Sequence, residues 1–287
     1  MRVHAVSTFA RLVASLLVAV SGSASAAPSA GWNDWSCKPS TSHPDPVVLL
    51  HGLGGSDDDF ELLASYLVGS GFCVFSLTYG RSAEPGLFDL GGGIAPMRTS
   101  ADEIARFADG VRAATGAAKV DLVGHSEGGL HALFIPKVLG RAPQIGRVVT
   151  MGSDVHGFGP VQTADLLALL GLRGLVDAVA RGAACQGCSD ILPGSEYRRT
   201  LAAGPVAQPG VGYTLIFTRF DEAALAFAPL GTPFLREPGV RNLYVQDRCP
   251  LDLVGHVMLP SSRSVASLVA NALDPRLPVR CGWSLPL

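Results

Sequence analysis

The chain has 287 residues, 48% of them hydrophobic and 16% charged, which is enough apolar material for one well-buried domain and too much for a disordered chain. Its 22 basic and 24 acidic residues leave a formal net charge of −2, with no block of Lys or Arg. That balance excludes the electrostatic footprint of a nucleic-acid binder and gives no support to an anionic membrane surface as partner.

The first 26 residues read as a signal peptide. Arg2, His4 and Arg11 precede the apolar run LVASLLVAV, and Ala24-Ser25-Ala26 forms an A-x-A cleavage site. That run is well short of the roughly 20 residues a spanning helix needs, and no other segment is long and apolar enough. The expected product is a secreted chain, residues 27–287, folded as a single domain. The six cysteines, at 37, 73, 185, 188, 249 and 281, agree with an oxidising compartment, although sequence alone does not select their connectivity. Cys185-x-x-Cys188 also has the spacing of a redox motif or half a zinc site. With the histidines scattered and no second pair at ligand spacing, no metal is expected.

Strands and helices then alternate. DPVVLLHG (Asp45 to Gly52) suits a strand buried on both faces. SDDDFELLASYLVGSG reads as a helix capped by Ser56, with aspartates in its first turn and Phe60, Leu63 and Leu67 on one face. Those aspartates point in different directions around a helix, so a solvated turn is favoured over a calcium site. FCVFSL is a second strand. TSADEIARFADGVRAATG is a second helix, for which Ser100 and Glu103 are expected to form a capping box and Gly116 the stop. VDLV, RVVTMGS, YTLIFT and NLYVQD (Asn242 to Asp247) follow as strands, and SSRSVASLVANALD as a closing helix. This alternation implies a parallel sheet with helices on both faces and ligands at the carboxyl ends of its strands. The region around 157–210, with the apolar stretch DLLALLGLRGLVDAV and the close cysteine pair, fits the alternation poorly and is expected to be a cap-like insertion.

Within KVDLVGHSEGGL, a serine lies between glycines where a strand gives way to a helix. An ordinary tight turn would use the same glycines. A nucleophile elbow would also require an acid and a histidine later in the chain, each beyond a strand, in the order Ser, Asp or Glu, His. Ser126, Asp221 (in TRFDEA, after YTLIFT) and His256 (after NLYVQD) supply that order. Glu222, Asp247, Asp252 and Asp154 compete with Asp221 as acids, and His156 is the distant alternative base. His51 and His125 are read as packing groups around the turns. In HGLGG the backbone N–H of Leu53, and after the serine that of Glu127, are placed to receive negative charge as an oxyanion hole. The Glu127 side chain itself is expected at the surface or behind the site.

NDWSCKPS, PVVLLHGLGG, GFCVFSLTYG, GGIAP, AATGAAKVDLVGHSEGGL, TRFDEA and DRCPLDLVGH together resemble the secreted bacterial class 2 lipases and EstA-like esterases of the α/β-hydrolase fold. The resemblance runs over most of the mature chain. It implies hydrolysis of lipid or other carboxylic esters without a cofactor, with Ser126, Asp221 and His256 as catalytic residues and the amides of Leu53 and Glu127 as oxyanion donors. It also supports the preferred cysteine pairing, Cys37 with Cys73, Cys185 with Cys188 and Cys249 with Cys281. After Asp221 the chain departs from that family, with the apolar EAALAFAPL where relatives are more polar, which bears on acyl preference. A monomer is expected. An extracellular acyltransferase or polyester hydrolase would use the same triad, and a non-catalytic binding module on this scaffold would be expected to lack one of its members.

Overall fold

A computed structural model describes residues 31–82, 91–155, 174, 184–192, 194–223 and 233–285. The expected signal peptide, the EAALAFAPL stretch from residue 224 and most of the expected insertion lie outside these residues.

Six strands form one parallel sheet: β1 (Val47–Leu50), β2 (Val74–Ser76), β3 (Val120–His125), β4 (Ile145–Met151), β5 (Gly212–Phe217) and β6 (Val240–Tyr244), in the order β2-β1-β3-β4-β5-β6. Every residue of β1 and β3 is buried, which is why these strands read as continuous apolar runs rather than alternating ones. The period of two still sorts them between two cores. Val48 and Leu50 pack with Ile104, Leu133 and Phe134, on the face covered by α2 (Met97–Thr115) and α3 (Glu127–Lys137). Val47 and Leu49 pack with Leu63, Leu67 and Val269, on the face covered by α1 (Glu61–Gly69) and by α7 (Arg263–Leu273) near the C-terminus. Ser262 caps the latter helix, its side chain accepting from the Val265 N–H. Shorter helices α4 (Gln186–Asp190) and α5 (Glu196–Ala202) precede β5, and α6 (Val245–Arg248) follows β6 directly.

Three local expectations are corrected. The helix expected from Ser56 opens instead as a 3-10 turn, Asp57–Phe60, before α1 begins. Asp59 turns back to accept from the Ser56 N–H at 3.1 Å, and Asp57 is engaged with Thr78. In α2, Ser100 and Glu103 do not form a capping box. Pro96 is the N-cap residue, so the helix starts earlier; Ser100 lies buried inside it, and Glu103 Oε2 accepts from the Gly80 N–H at 3.0 Å. The free amide of Met97 is met by Asp190 Oδ2 at 3.0 Å, a cap supplied from a distant segment. Finally, the strand expected through Asp247 ends at Tyr244, because Asp247 Oδ2 accepts from the Tyr244 N–H at 3.1 Å and turns the chain into α6.

Disulfides join Cys37 to Cys73, Cys185 to Cys188 and Cys249 to Cys281, with Cα–Cα separations of 5.9, 5.3 and 5.3 Å, within the span such a bond allows. The last of them brackets the loop that carries His256. Among the described residues no helix is long and apolar enough to cross a membrane.

Candidate active site

The end of β3 is built by close approach of backbones. Ser126 stands between strand and α3 with φ 51° and ψ −118°, a region a side chain-bearing residue occupies only when its surroundings enforce it. The glycines around it are the enforcement. A Cβ at Gly128 would lie 2.1 Å from the Leu50 carbonyl oxygen, and one at Gly124 would lie 2.3 Å from the Gly128 backbone. The Ser126 N–H donates to the Met151 carbonyl at 2.9 Å, and Ser153 Oγ donates to the Ser126 carbonyl at 2.7 Å. Sequence reasoning did not single out Ser153; its signal is its place just beyond the end of β4, beside the elbow.

The three residues singled out by chain order meet here. Ser126 Oγ is 2.9 Å from His256 Nε2, and His256 Nδ1 is 2.9 Å from Asp221 Oδ2. Asp221 and His256 are both buried. With Nδ1–H donated to the carboxylate, Nε2 is left as the acceptor for the serine O–H. A Cβ at Gly152 would lie 3.0 Å from the His256 ring, so this glycine keeps space for the imidazole.

Competing acids are used elsewhere. Asp252 is fully buried and bonds Ser262 Oγ at 2.7 Å and the Val254 N–H at 3.1 Å, while Asp247 pairs with Arg219. Glu222 holds the histidine's own backbone: its two carboxylate oxygens accept from the N–H groups of His256 at 2.6 Å and Val257 at 3.0 Å. Burial opposes ionisation of this carboxyl, but those two N–H bonds, with smaller charge effects, outweigh it and hold its pKa below the usual value.

Two further histidines near the site are held in fixed hydrogen bonds. His125 Nε2 donates to the His256 carbonyl at 2.9 Å, and burial, reinforced by nearby His256, pushes its pKa down to about 3. His51 donates from Nδ1 to the Gly52 carbonyl at 2.8 Å and accepts at Nε2 from the Tyr79 N–H at 3.2 Å, stacked on the Tyr79 ring. His156 lies outside the described residues. Ser126 and His256 open into a cavity of about 480 Å³, whose wall includes Leu53, Val257 and Met258. These three side chains are exposed, giving the mouth an apolar rim.

Leu53 lies in the turn after β1 and Glu127 is the first residue of α3, so the Glu127 N–H has no acceptor within its helix. Of the two positions expected for the Glu127 side chain, at the surface or behind the site, the structure has the second: it is fully buried, with Oε1 3.0 Å from His131 Nε2. The i,i+4 spacing that joins Glu127 to His131 could have signalled this pair.

The α/β hydrolase fold family model matches residues 45–184, just under half of the chain and the part that carries β1 to β4 and the elbow. Triacylglycerol lipases of Pseudarthrobacter phenanthrenivorans and Burkholderia plantarii are each 33% identical to this chain over 115 residues, or 39% of it, and the match covers 34% and 30% of those proteins. The chain thus matches about a third of the length of these curated relatives. The crystal structure of Aspergillus fumigatus lipase B superposes with a TM-score of 0.60 at 16% identity, over 85% of this chain and 57% of that one. Parallel sheet, flanking helices and family match together show that this chain has the α/β-hydrolase fold.

Proposed function

We propose that the chain is a secreted, monomeric serine hydrolase of carboxylic esters, a lipase or esterase that needs no metal or cofactor. The observation that carries this reading is the unbroken hydrogen-bonded line from Ser126 Oγ through His256 to Asp221, 2.9 Å at each step. A serine hydroxyl is a weak nucleophile until a base takes its proton, and that base needs a carboxylate to fix its tautomer and balance the charge it acquires. In this mechanism Oγ attacks the ester carbonyl carbon as its proton passes to His256 Nε2. The N–H groups of Leu53 and Glu127 receive the oxyanion, a donor pair in which each member is worth roughly 3 to 4 kcal/mol of transition-state stabilisation. Nε2 then protonates the departing alcohol, leaving an acyl group on Ser126. Water repeats the sequence, giving its proton to Nε2 and releasing the acid. The apolar rim of Leu53, Val257 and Met258 suits the acyl portion of a lipid ester, and the lipase names of the two partial relatives point the same way.

A fluorophosphonate should label the wild type covalently and leave Ser126→Ala unlabelled, with ester hydrolysis falling roughly a million-fold in the variant. Equal labelling of both proteins would overturn the assignment. Rates on p-nitrophenyl esters of increasing acyl length, compared with emulsified glyceride, separate esterase from lipase.

A further inference from the structure

Directly behind the elbow lies a buried chain of polar groups that the proposed mechanism does not use. Glu127 and His131 are fully buried on α3, and Tyr197 on α5 is 6% exposed. His131 bridges them, with Nε2 3.0 Å from Glu127 Oε1 and Nδ1 2.7 Å from the Tyr197 hydroxyl. The second carboxyl oxygen, Oε2, is buried with no hydrogen-bond partner among the described residues, facing Gly93, where a Cβ would lie 2.9 Å from it. An ionised carboxylate with one oxygen bare in such a place would carry a large desolvation penalty.

We propose that Glu127 is a positioning residue whose carboxyl is protonated and donates to His131 Nε2, so that Glu127, His131 and Tyr197 form a neutral strut fixing the residue that supplies an oxyanion-hole N–H. The proposal rests on the reading of Ser126 as nucleophile. Proton placement is consistent along the chain: the carboxyl O–H donates to Nε2, and His131 Nδ1–H donates to the tyrosine oxygen.

Among the described residues, the surroundings offer no charge to hold a carboxylate. From the turn after β1, His51 faces the cluster, and from the segment after β2, Tyr79 packs edge-on against the His131 ring. The segment holding α4 and α5 contributes Asp190 and Tyr197, and α2 contributes Glu103, Asp102 and Arg98. Arg98 is the one cation among these groups, and it lies exposed over the Phe134 ring while pairing with Asp102. Burial and then Asp190 push the Glu127 pKa well up, and burial and then His51 bring that of His131 down to about 3. Both directions favour the neutral pair over a buried ion pair. One residue therefore offers a backbone donor to the oxyanion while its own side chain adds no negative charge behind it.

Glu127→Gln keeps the shape and can donate an amide N–H to Nε2. Because the wild type loses turnover when Glu127 ionises, the variant's activity should extend to higher pH than that of the wild type, with KM unchanged. Infrared spectra of wild type containing isotope-labelled glutamate should show a protonated-carboxyl band at neutral pH that fades at alkaline pH and is absent from Glu127→Gln. The isotope keeps this band apart from any aspartic acid. Absence of the band in the wild type, or a Glu127→Gln kcat reduced more than about tenfold with an unshifted alkaline limb, would overturn the strut. The band is read without turnover, so it decides the protonation state even if Ser126→Ala proves fully active, and its wild-type titration needs no folded variant.

Discussion

The two ends of β3 each carry a buried acid, Asp121 at the start and Glu127 just past the finish, and the same desolvation raises both. Their settings differ. Asp121, 2% exposed, borders a cavity of about 420 Å³, with Arg147 3.8 Å from one oxygen and Asp45 nearby. Burial first, and then Asp45, push its pKa up to about 8. Among the described residues Glu127 has no cation beside it, and its carboxyl pairs with the His131 ring at 3.0 Å. The contrast extends to the glycines: a Cβ at Gly146, beside Asp121, would meet the carboxylate tips of Asp45 and Asp121 at 2.4 and 2.6 Å, whereas one at Gly128 would meet main-chain carbonyls. Side-chain tips can rotate aside; strand carbonyls cannot. The carboxyl end of the sheet is thus held to one geometry, and the amino end retains room to adapt.

The sharpest way to break this comparison is to add the same methyl group at both ends. Gly128→Ala should lose about 3 kcal/mol of stability and the elbow geometry with it, against about 1 kcal/mol for Gly146→Ala. Urea unfolding of the two variants checks the ranking, and equal losses would refute it. A smaller effect is expected at Glu222, which fixes the base through its backbone. Glu222→Gln keeps one acceptor and places an NH₂ group against the other N–H, so kcat should fall about tenfold with KM little changed. Steady-state kinetics on a soluble ester would show it, and a loss confined to KM would contradict the role. The smallest change belongs to Asp121. Unfolded, this acid ionises above about pH 4; folded, it keeps its proton to about pH 8. The native state therefore binds the extra proton between those values, and the wild type loses stability as pH rises through that window. Asp121→Asn removes this dependence, so its stability relative to wild type should grow by about 1 kcal/mol from pH 7 to 8, read from paired thermal melts. A constant difference would place the cost elsewhere.

Much of the frame was legible because it is local. Apolar β-branched runs ended by glycine mark β1 and β3, and the spacing of Phe60, Leu63 and Leu67 marks a helix face. The serine, acid and histidine were found by their order after successive strands, and the structure brings all three within hydrogen-bond distance of one another in sequence. Partners that come from far along the chain were not legible. Asp190 caps a helix 93 positions earlier, and Tyr197 reaches a histidine 66 positions before it. Ser100 and Glu103 had the spacing of a capping box, yet Pro96 started the helix first and a distant N–H claimed the glutamate. Glu127 carries a charge-bearing side chain in a helix's first turn, which leaves a surface position and one behind the site both open. Only the fold shows that α3, buried from Glu127 to Pro136, has no water-facing side at that point.

Ser126 and the ring it meets at 2.9 Å, that of His256, are separated by 130 positions. On the ribosome, the hydroxyl and its glycine frame leave the exit tunnel well before residues 221 and 256 have been translated. Under the proposed mechanism a growing polypeptide therefore carries a dormant serine, and competence arrives only when the last third of the message has been read and β5 and β6 have joined the sheet.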